Sequence, residues 1–353
     1  MSTKFRKIGV LTSGGDAPGM NACVRAVTRT ALARGIEVIG ILGGYSGLLN
    51  DNMRPLGPRD VSNIVNRGGT FLYSDRCLEF KTEEGMQKSI ATCREKGIDG
   101  IIAIGGDGTF RGATDLSNRG IPTIGLTGSI DNDITASDYT IGFDTAMNTV
   151  CEMVDRLRDT CESHARCNVV EVMGRDCGEI ALRTGIACGA VAVAIPEIPF
   201  DEAAALAKIK ALKAGGKRNF IVIVSEGLGK YSEELAKTIQ AETGIETKFA
   251  RLAHVVRGGN PTLRDRQAAA EMGTKAVELM LEGKSNLVVV ERNGETVACD
   301  INYSLIVDRM YKNKLKPGDL DAFSEEEVAS MKALCAYRKG EIERLYQIAS
   351  DLA

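Results

Sequence analysis

The chain has 353 residues, enough for two domains and a sizeable core, and 44% hydrophobic with 26% charged residues is ordinary for a folded protein. A net charge of −3 without a long basic block argues against a nucleic-acid partner, and no apolar run approaches the length that spans a bilayer. The ten cysteines are scattered and the start carries no signal-like apolar segment, so we expect a cytoplasmic protein with reduced thiols.

The first predicted element is a strand that opens into a glycine-rich loop. Residues 8–11 are the strand, residues 12–21 the loop, and a helix with one apolar face follows to about residue 34. This order presents backbone N–H groups to a phosphate at a helix N-terminus. The loop matches neither the P-loop nor the dinucleotide fingerprint, and a structural glycine turn stays an alternative.

Two arginines lie in the region that follows a strand at residues 37–42. Arg67 lies in residues 66–71, which contain a Gly-Gly turn, and Arg76 lies in residues 74–77 just after it, as anion-binding residues would. Solvated loop arginines are the other interpretation.

A third loop combines glycines with a carboxylate. After a helix at residues 82–96 and a strand at 100–104, the segment 105–109 reads Gly-Gly-Asp-Gly-Thr, and a helix begins within it. Small residues around Asp107 predict a phosphate loop whose carboxylate meets Mg²⁺, which prefers carboxylate and phosphate oxygens.

Two carboxylates follow the next strand. Residues 121–126 predict a buried strand, whose end delivers Asp131 and Asp133 to the edge where open α/β sheets bind ligands. One carboxylate there can accept a proton from a substrate hydroxyl, and its neighbour can act through a bound cation. An Asx-rich turn without chemistry is the alternative.

Strands and helices alternate through the rest of the chain, which predicts mainly parallel sheets with helices on both faces. Strands are predicted at residues 167–173, 190–195, 220–224, 247–252 and 287–291. Helices are predicted at 176–188, 201–214, 232–243 and 264–281, and a long helix is predicted to start in the segment 139–145 and to run to about residue 163. Ser324 and Glu327 have capping-box spacing, and they start a terminal helix that we expect to be interrupted or bent near Gly340.

A zinc site is one interpretation of Cys161, His164 and Cys167, with Cys177 further along the chain. The motif lacks the paired C-x₂-C spacing of common zinc modules and straddles a helix end and a strand, so we do not favour it.

Taken together, the motifs resemble the ATP-dependent 6-phosphofructokinase family of bacterial type. The resemblance covers about residues 6–300 and rests on the segments 9–21, 66–70, 105–109, 130–133, 173–175 and 254–259. It implies an α/β fold of two doubly wound three-layer αβα (Rossmann-like) domains with mainly parallel sheets and an active site in the cleft between them. The implied domains are residues 1–142 plus 256–305, which bind ATP, and residues 143–255 plus 306–353, which bind fructose 6-phosphate and carry a helical extension.

The resemblance also implies a reaction, the transfer of a phosphoryl group from Mg-ATP to the 1-hydroxyl of fructose 6-phosphate. Asp131 is the implied general base. Ser129 and Asp133 assist positioning, and Arg76 and Arg175 stabilise charge on the transferring group. The residues implied to bind Mg-ATP are Gly15, Arg76, Cys77, Gly106, Asp107, Gly108 and Thr109, with Asp107 as the magnesium ligand. Those implied to bind fructose 6-phosphate are Ser129, Ile130, Asp131, Met173, Gly174, Arg175, Glu226, His254, Val255, Val256 and Arg257. Arg166 and Lys248 reach that phosphate from a neighbouring subunit of a homotetramer.

An effector site is implied at Arg25, Arg29, Arg158, Lys217 and Arg218. Gly215 and Val191 replace a lysine and a glutamate of the family there, which weakens the expectation of ADP activation and phosphoenolpyruvate inhibition. Thr127 and Ser129 replace a proline and a threonine, and Lys248 replaces an arginine, which keeps the charge but loses the bidentate fork.

The phosphoryl donor is predicted from two glycines. Pyrophosphate-dependent relatives carry Asp where this chain has Gly108 and Lys where it has Gly128, so we expect ATP as the donor. A pyrophosphate-dependent enzyme, a kinase of another sugar phosphate such as tagatose 6-phosphate, and a non-enzymatic sensing subunit are the alternatives.

Overall fold

The computed structural model describes residues 5–352. Residues 1–4, on which part of the expected signal-free start falls, and residue 353 lie outside the described residues. The strands are β1 (Lys7–Thr12), β2 (Glu37–Ile41), β3 (Met53–Pro55), β4 (Gly100–Gly105), β5 (Thr123–Thr127), β6 (Cys167–Val172), β7 (Ala192–Ala194), β8 (Phe220–Ser225), β9 (Thr247–Arg251), β10 (Leu287–Arg292) and β11 (Glu295–Asp300).

The helices of the described chain are α1 (Met20–Ala33), α2 (Tyr45–Leu49), α3 (Glu83–Glu95), α4 (Asp107–Asn118), α5 (Phe143–His164), α6 (Glu179–Ala187), α7 (Glu202–Ala214), α8 (Tyr231–Thr243), α9 (Leu263–Leu281), α10 (Ile301–Tyr311) and α11 (Glu325–Leu352). Three short 3-10 helices cover Glu79–Lys81, Glu226–Leu228 and Ala253–Arg257.

The chain divides into two compact units. The first consists of Met1–Ile130, Ile134–Asp144 and Arg257–Cys335, and the second of Asp131–Asp133, Thr145–Val256 and Ala336–Ala353. Residues 306–335 differ from the domain bounds implied above, which gave them to the smaller domain. They lie with the first unit because α10 packs on α4, β10 and β11.

The first unit is built on a seven-stranded sheet in the order β11-β10-β5-β4-β1-β2-β3. The five inner strands are parallel, and β3 and β11 are antiparallel to their neighbours. β4 and β5 are buried along their whole length, as parallel strands covered on both faces must be. One buried cluster joins Phe110 of α4, Leu305 of α10 and Met331 of α11.

The second unit is built on a four-stranded, all-parallel sheet in the order β7-β8-β6-β9. Its core includes Phe220, Ile209 of α7 and Leu235 of α8. The register pairs Val172 with Ser225, so the residues that follow β6 and β8 emerge side by side at one sheet edge.

The predicted α/β class with two mainly parallel sheets is confirmed, and all nine predicted strands are present. β11 was missed although the dipeptide Asn293-Gly294 is a sequence signal for a two-residue hairpin. In the structure both residues have the positive φ that this turn requires, 52° and 77°. α10 was missed although Asp300 caps it by accepting the Tyr303 N–H at 3.0 Å. The short α2 and β3 were also not predicted.

The capping box at the start of α11 is confirmed. Ser324 N–H donates to Glu327 Oε2 at 2.8 Å, and Glu327 N–H donates to Ser324 Oγ at 3.2 Å. The interruption predicted near Gly340 is wrong, because α11 continues through it. A glycine costs a helix interior only about 1 kcal/mol, and buried Cys335 and Ile342 anchor the helix on either side.

Candidate active site

The first glycine loop links β1 to α1. Gly19, at φ 105°, is the N-cap position of α1. A Cβ on Gly15 would lie 2.9 Å from Nη1 of Arg257, which also donates to the Asp16 carbonyl at 3.1 Å. Arg257, implied above to bind the sugar phosphate, therefore lies in the first unit against the loop implied to bind ATP.

The second glycine loop, Gly105 to Thr109, is tied to the first. Thr109 is buried and donates its hydroxyl to the Ser13 carbonyl at 3.1 Å, while the Tyr45 hydroxyl donates to the Thr109 carbonyl at 2.7 Å. A Cβ on Gly106 or Gly108 would meet nothing within 4 Å. Hydrogen bonds to neighbouring segments thus hold the loop in place, and the space beside Gly106 and Gly108 is open. The Thr109 hydroxyl is one of the groups that hold the loop.

A second carboxylate lies beside Asp107. Asp308 of α10 is 2% exposed, and its Oδ1 accepts the Thr135 N–H at 2.5 Å. Burial, and then the charge of Asp107, raise the pKa of Asp308 well above its usual range. Asp107 Oδ1 and Asp308 Oδ2 are buried, and apart from the contact between the two carboxyl groups no donor within residues 5–352 hydrogen-bonds to them. Two orphaned carboxylate oxygens are a donor set that suits Mg²⁺.

Asp308 was missed by sequence reasoning, although a signal exists. It ends the otherwise apolar run Leu305-Ile306-Val307 on the buried part of α10, where a carboxylate without a role is costly.

Within the first unit, Asn21 of α1 fixes the segment that precedes Arg76 and Cys77. Asn21 donates to the carbonyls of Arg67 and Gly68 at 3.0 and 3.2 Å and accepts the Phe71 N–H at 2.6 Å. Arg76 is exposed, and its guanidinium makes no ion pair with the residues that the structure describes, so it is available to a ligand. Cys77 packs against the core of this unit.

The turn after β5 belongs to both units. Gly128 N–H donates to Gly105 O at 3.0 Å, Ser129 N–H donates to Ile141 O at 3.1 Å, and Ile130 is fully buried. The division into units falls after Ile130, so Asp131 to Asp133 lie with the second unit.

In the second unit, Arg175 lies beside both aspartates of the turn. Its Nε is 3.3 Å from Asp131 Oδ2, and its Nη1 is 3.9 Å from Asp133 Oδ2. Asp131 is 3% exposed, whereas Arg175 is half exposed. Arg175 has φ 53°, a conformation that non-glycine residues adopt rarely and that is enriched at functional sites. The structure thus brings together three residues that the sequence singled out.

Glu226 holds the Arg175 backbone in place. Its Oε1 accepts the N–H groups of Gly174 and Arg175 at 3.2 and 3.0 Å. A Cβ on Gly227 would lie 2.4 Å from the Arg175 carbonyl, so the two segments are in close contact. Met173 is buried beneath them. One carboxylate oxygen of Glu226 is therefore structural, a role that sequence reasoning did not foresee.

Arg166 and Lys248 lie at the opposite end of the strands of the second sheet, where β6 and β9 begin. Both flank Glu246, with Arg166 Nε at 2.7 Å and Lys248 Nζ at 2.9 Å from its carboxylate oxygens. These hydrogen bonds, from Arg166 first, lower the pKa of Glu246 to about 2. Arg166 and Lys248 lie one strand length, roughly 20 Å, from Met173, so within one chain they do not contact the same ligand group as Arg175.

The remaining implied substrate residues occupy the 3-10 helix Ala253–Arg257. His254 and Val255 are exposed, and Val256 is fully buried. The division between the units falls after Val256, so these three lie in the second unit and Arg257 in the first.

The implied effector residues are divided between the units: Arg25 and Arg29 lie on α1 of the first, and Arg158, Lys217 and Arg218 lie in the second. Arg158 donates to Asn219 Oδ1 at 3.1 Å and to the Cys188 carbonyl, and Arg218 lies 3.8 Å from Glu162. These contacts all lie within the second unit, and an effector role remains a prediction.

Two general observations concern the chain between residues 5 and 352. None of its helices is long and apolar enough to cross a membrane. It also contains no group of three or more His, Cys, Asp or Glu side chains arranged to hold a metal ion, and Cys161 instead accepts a hydrogen bond from Asn168 at 2.8 Å.

Glycine loops at strand ends, a carboxylate at a helix N-terminus and an arginine beside two aspartates are typical of a phosphoryl-transferring enzyme. A family model described as phosphofructokinase matches residues 7–280. The chain belongs to the phosphofructokinase family.

Individual relatives support this assignment. The chain is 49% identical over 311 residues to ATP-dependent 6-phosphofructokinase 1 of Clostridium perfringens (strain 13 / Type A), covering 88% of this chain and 97% of that protein. It is 50% identical, with the same coverage, to ATP-dependent 6-phosphofructokinase of Clostridium botulinum (strain Loch Maree / Type A3). Its fold is similar to the structure of phosphofructokinase from Saccharomyces cerevisiae, with a TM-score of 0.85 and 32% identity. That match covers 97% of this chain and 49% of the yeast chain, so this chain spans about half its length.

Proposed function

We propose that this protein is an ATP-dependent 6-phosphofructokinase, which transfers the γ-phosphoryl group of ATP to the 1-hydroxyl of fructose 6-phosphate. The observation that carries the proposal is Arg175 placed 3.3 Å from Asp131 and 3.9 Å from Asp133. The products are fructose 1,6-bisphosphate and ADP. The names of the clostridial relatives support the choice of ATP and of the sugar phosphate.

Asp131 acts as the general base. It is buried, so its carboxylate is shielded from water and oriented by its neighbours, and a base so placed contributes about 10² to 10⁴ in rate. Arg175 stabilises the negative charge on the transferring phosphoryl group, the term that dominates this class of reaction. Ser129 and Asp133 assist positioning, and the exposed Arg76 adds a second positive charge.

ATP binds at the two glycine loops of the first unit. Gly106 and Gly108 border open space, so a phosphate can approach the backbone there, and Gly15, Cys77 and Thr109 complete the loops. Asp107 would hold Mg²⁺ with Asp308 beside it, and the cation supplies neutralisation of phosphate charge when bound.

The metal proposal is tested by binding rather than turnover. For Asp308→Asn we expect about tenfold weaker Mn²⁺ binding, measured by electron paramagnetic resonance without nucleotide, because one hard oxygen ligand is lost. The thermal midpoint in metal-free buffer at neutral pH rises, because the amide removes the cost of burying an ionisable carboxyl group beside Asp107. Asp321→Asn, on an exposed turn of the same unit, is the control and changes neither. Unchanged Mn²⁺ affinity in Asp308→Asn contradicts the metal site.

Fructose 6-phosphate binds to the second unit at Met173, Gly174, Arg175 and Glu226, with His254 and Arg257 as partners of its phosphate. Arg166 and Lys248 are too far from Arg175 in the same chain, which supports their serving a neighbouring subunit of a homotetramer. Mixing Lys248→Ala subunits with Asp131→Ala subunits then restores activity, because some hybrid sites contain both residues intact. Activity no higher than the sum of the two separate variants contradicts shared sites.

The whole function is tested by a steady-state assay of the purified protein. We expect fructose 1,6-bisphosphate from ATP and fructose 6-phosphate, and little from pyrophosphate or tagatose 6-phosphate. Comparable turnover with pyrophosphate overturns the donor, a preference for tagatose 6-phosphate overturns the acceptor, and binding of both ligands without turnover indicates a sensing subunit.

A further inference from the structure

The C-terminal helix α11 packs against the rest of the chain. The alignments with the clostridial relatives use 97% of those proteins but only 88% of this chain, so this chain is longer than they are. The last part of α11, from Ala336, lies with the second unit, the unit that also contains Asp131 to Asp133. Ile342, Leu345 and Ala349 of this part are buried.

One charged side chain of α11 points into the protein. The side chain of Arg338 is only 11% exposed, unlike most charged residues of this helix. Its Nη2 donates to the backbone carbonyl of Asn132 at 3.2 Å and to Glu179 Oε1 at 2.8 Å. Arg338 therefore contacts the residue between the two aspartates of the catalytic turn.

Asn132 is held at a buried turn. It is completely buried and has φ 50°, a left-handed conformation that asparagine adopts more readily than other non-glycine residues, so its identity and its contacts together fix the turn. Its side-chain amide donates to Glu179 Oε2 at 3.1 Å. Asn132 is thus held at both its carbonyl and its side chain, by Arg338 and by the carboxylate that Arg338 pairs with.

Glu179 connects these contacts. It is buried, accepts from Arg338 and Asn132, and also accepts from Arg183 Nε at 3.0 Å. Removing Arg338 takes away the donor to Oε1 of this buried carboxylate and leaves Arg183 as its ion-pair partner, so the remaining groups rearrange. A rearrangement here moves Asn132 and, through the chain, Asp131 and Asp133 on either side.

We propose that Arg338 is a positioning residue for the catalytic turn, and that the C-terminal helix thereby forms part of the catalytic apparatus. The role rests on the proposed function, since it concerns the placement of the general base. It does not touch the substrate: Arg338 acts through Asn132. Misplacement of a catalytic group by about 1 Å costs up to about a hundredfold in rate, so loss of Arg338 is expected to act on kcat.

The test compares Arg338→Gln and Arg338→Lys with Arg344→Gln. Arg344 lies on the same helix but is exposed and pairs only locally, with Glu341 Oε1 at 3.1 Å, so it is a matched control. We expect Arg338→Gln to lower kcat about tenfold to a hundredfold while the KM for fructose 6-phosphate changes less than about threefold. Arg338→Lys recovers part of kcat, because the charge opposite Glu179 is restored. Arg344→Gln keeps the original kcat.

Two further measurements separate this role from general damage and from failure of the proposed function. Thermal unfolding establishes that Arg338→Gln is folded at the assay temperature. Hydrogen–deuterium exchange of a peptide covering residues 130–134 is expected to be faster in Arg338→Gln than in Arg344→Gln, whatever reaction the protein catalyses. If exchange increases but the original protein makes no fructose 1,6-bisphosphate, the proposed function fails and the contact with the turn stands. A kcat within about twofold of the original in folded Arg338→Gln, or equal loss in Arg344→Gln, overturns the proposal.

Discussion

The two units fix their ligand-binding residues by different means. In the first unit, the glycine loops are held from behind by hydrogen bonds such as Thr109 to Ser13, and Gly106 and Gly108 border open space. In the second, Arg175 and Glu226 are held by ion pairs and by backbone contacts made to a carboxylate.

This difference determines what a substitution does. A side chain added to an open loop changes the volume and charge that a ligand meets, and the loop itself can stay in place. A side chain removed from a charged network also frees its partners, because each member holds the others. We therefore expect turnover to depend strongly on the second unit and donor choice to be adjustable in the first.

The largest effect is expected at Asp131. Asp131→Ala and Asp131→Asn lower kcat by about 10² to 10⁴, because no base accepts the hydroxyl proton. Affinity for fructose 6-phosphate, measured by isothermal titration calorimetry, changes little. Arg175 is half exposed, so water solvates its guanidinium when the Asp131 carboxylate is removed, and Arg175 stays available to the ligand. If Asp131→Asn keeps a tenth or more of the turnover, another group is the base.

Arg175 is expected to follow closely. Arg175→Ala lowers kcat by about 10² to 10³, a range typical of losing one charge-stabilising donor. Arg175→Lys recovers only part of this, because a single ammonium cannot reproduce the contacts of Nε with Asp131 and of Nη1 with Asp133. Steady-state kinetics measure both variants, and a fully active Arg175→Lys shows that charge alone is sufficient.

Substitutions of Glu226 test whether this carboxylate holds the backbone of Gly174 and Arg175. Glu226→Ala leaves the N–H groups of Gly174 and Arg175 without their acceptor, which costs about 1 to 3 kcal/mol and raises the KM for fructose 6-phosphate about tenfold. Glu226→Gln keeps an acceptor oxygen, so its KM rises less than about threefold. An Ala variant that matches the original enzyme contradicts the structural role of this carboxylate.

Local sequence patterns predicted the parts of the fold that depend on local chemistry. Most of the nine predicted strands are apolar runs, and the loops after β1, β4 and β6 follow from those runs because parallel strands deliver their carboxyl ends to one edge. The meeting of Arg175 with Asp131 was implied only by the family resemblance, since no spacing along the chain relates them.

Contacts between distant segments were not predictable in this way. Asp308 approaches Asp107 across 201 positions of the chain, and Arg338 approaches Asn132 across 206. Arg338 looks locally like an ordinary helical charge, and the apolar run before Asp308 indicates burial but not its neighbour. Only the packing of α10 and α11 reveals which segment each side chain contacts. The structural use of Thr109 and Glu226 was missed for the same reason, because it depends on neighbours from other strands.

The smallest predicted effect tests the open loops and concerns the two glycines that were used to infer the donor. A Cβ on Gly108 meets nothing within 4 Å, whereas one on Gly128 would lie 3.0 Å from Met20 Cε and 3.2 Å from Ile104 Cγ2. Gly108→Asp is therefore expected to fold normally, with an unchanged thermal midpoint, and to raise the KM for ATP about tenfold by repulsion of phosphate charge. Gly108→Ala, which adds volume without charge, changes it less than about threefold. Gly128→Lys instead forces Met20 and Ile104 to move, so its thermal midpoint falls. If Gly108→Ala weakens ATP as much as Gly108→Asp, the loop selects its donor by space rather than by charge, and the contrast between an open loop and a charged network is sharpened accordingly.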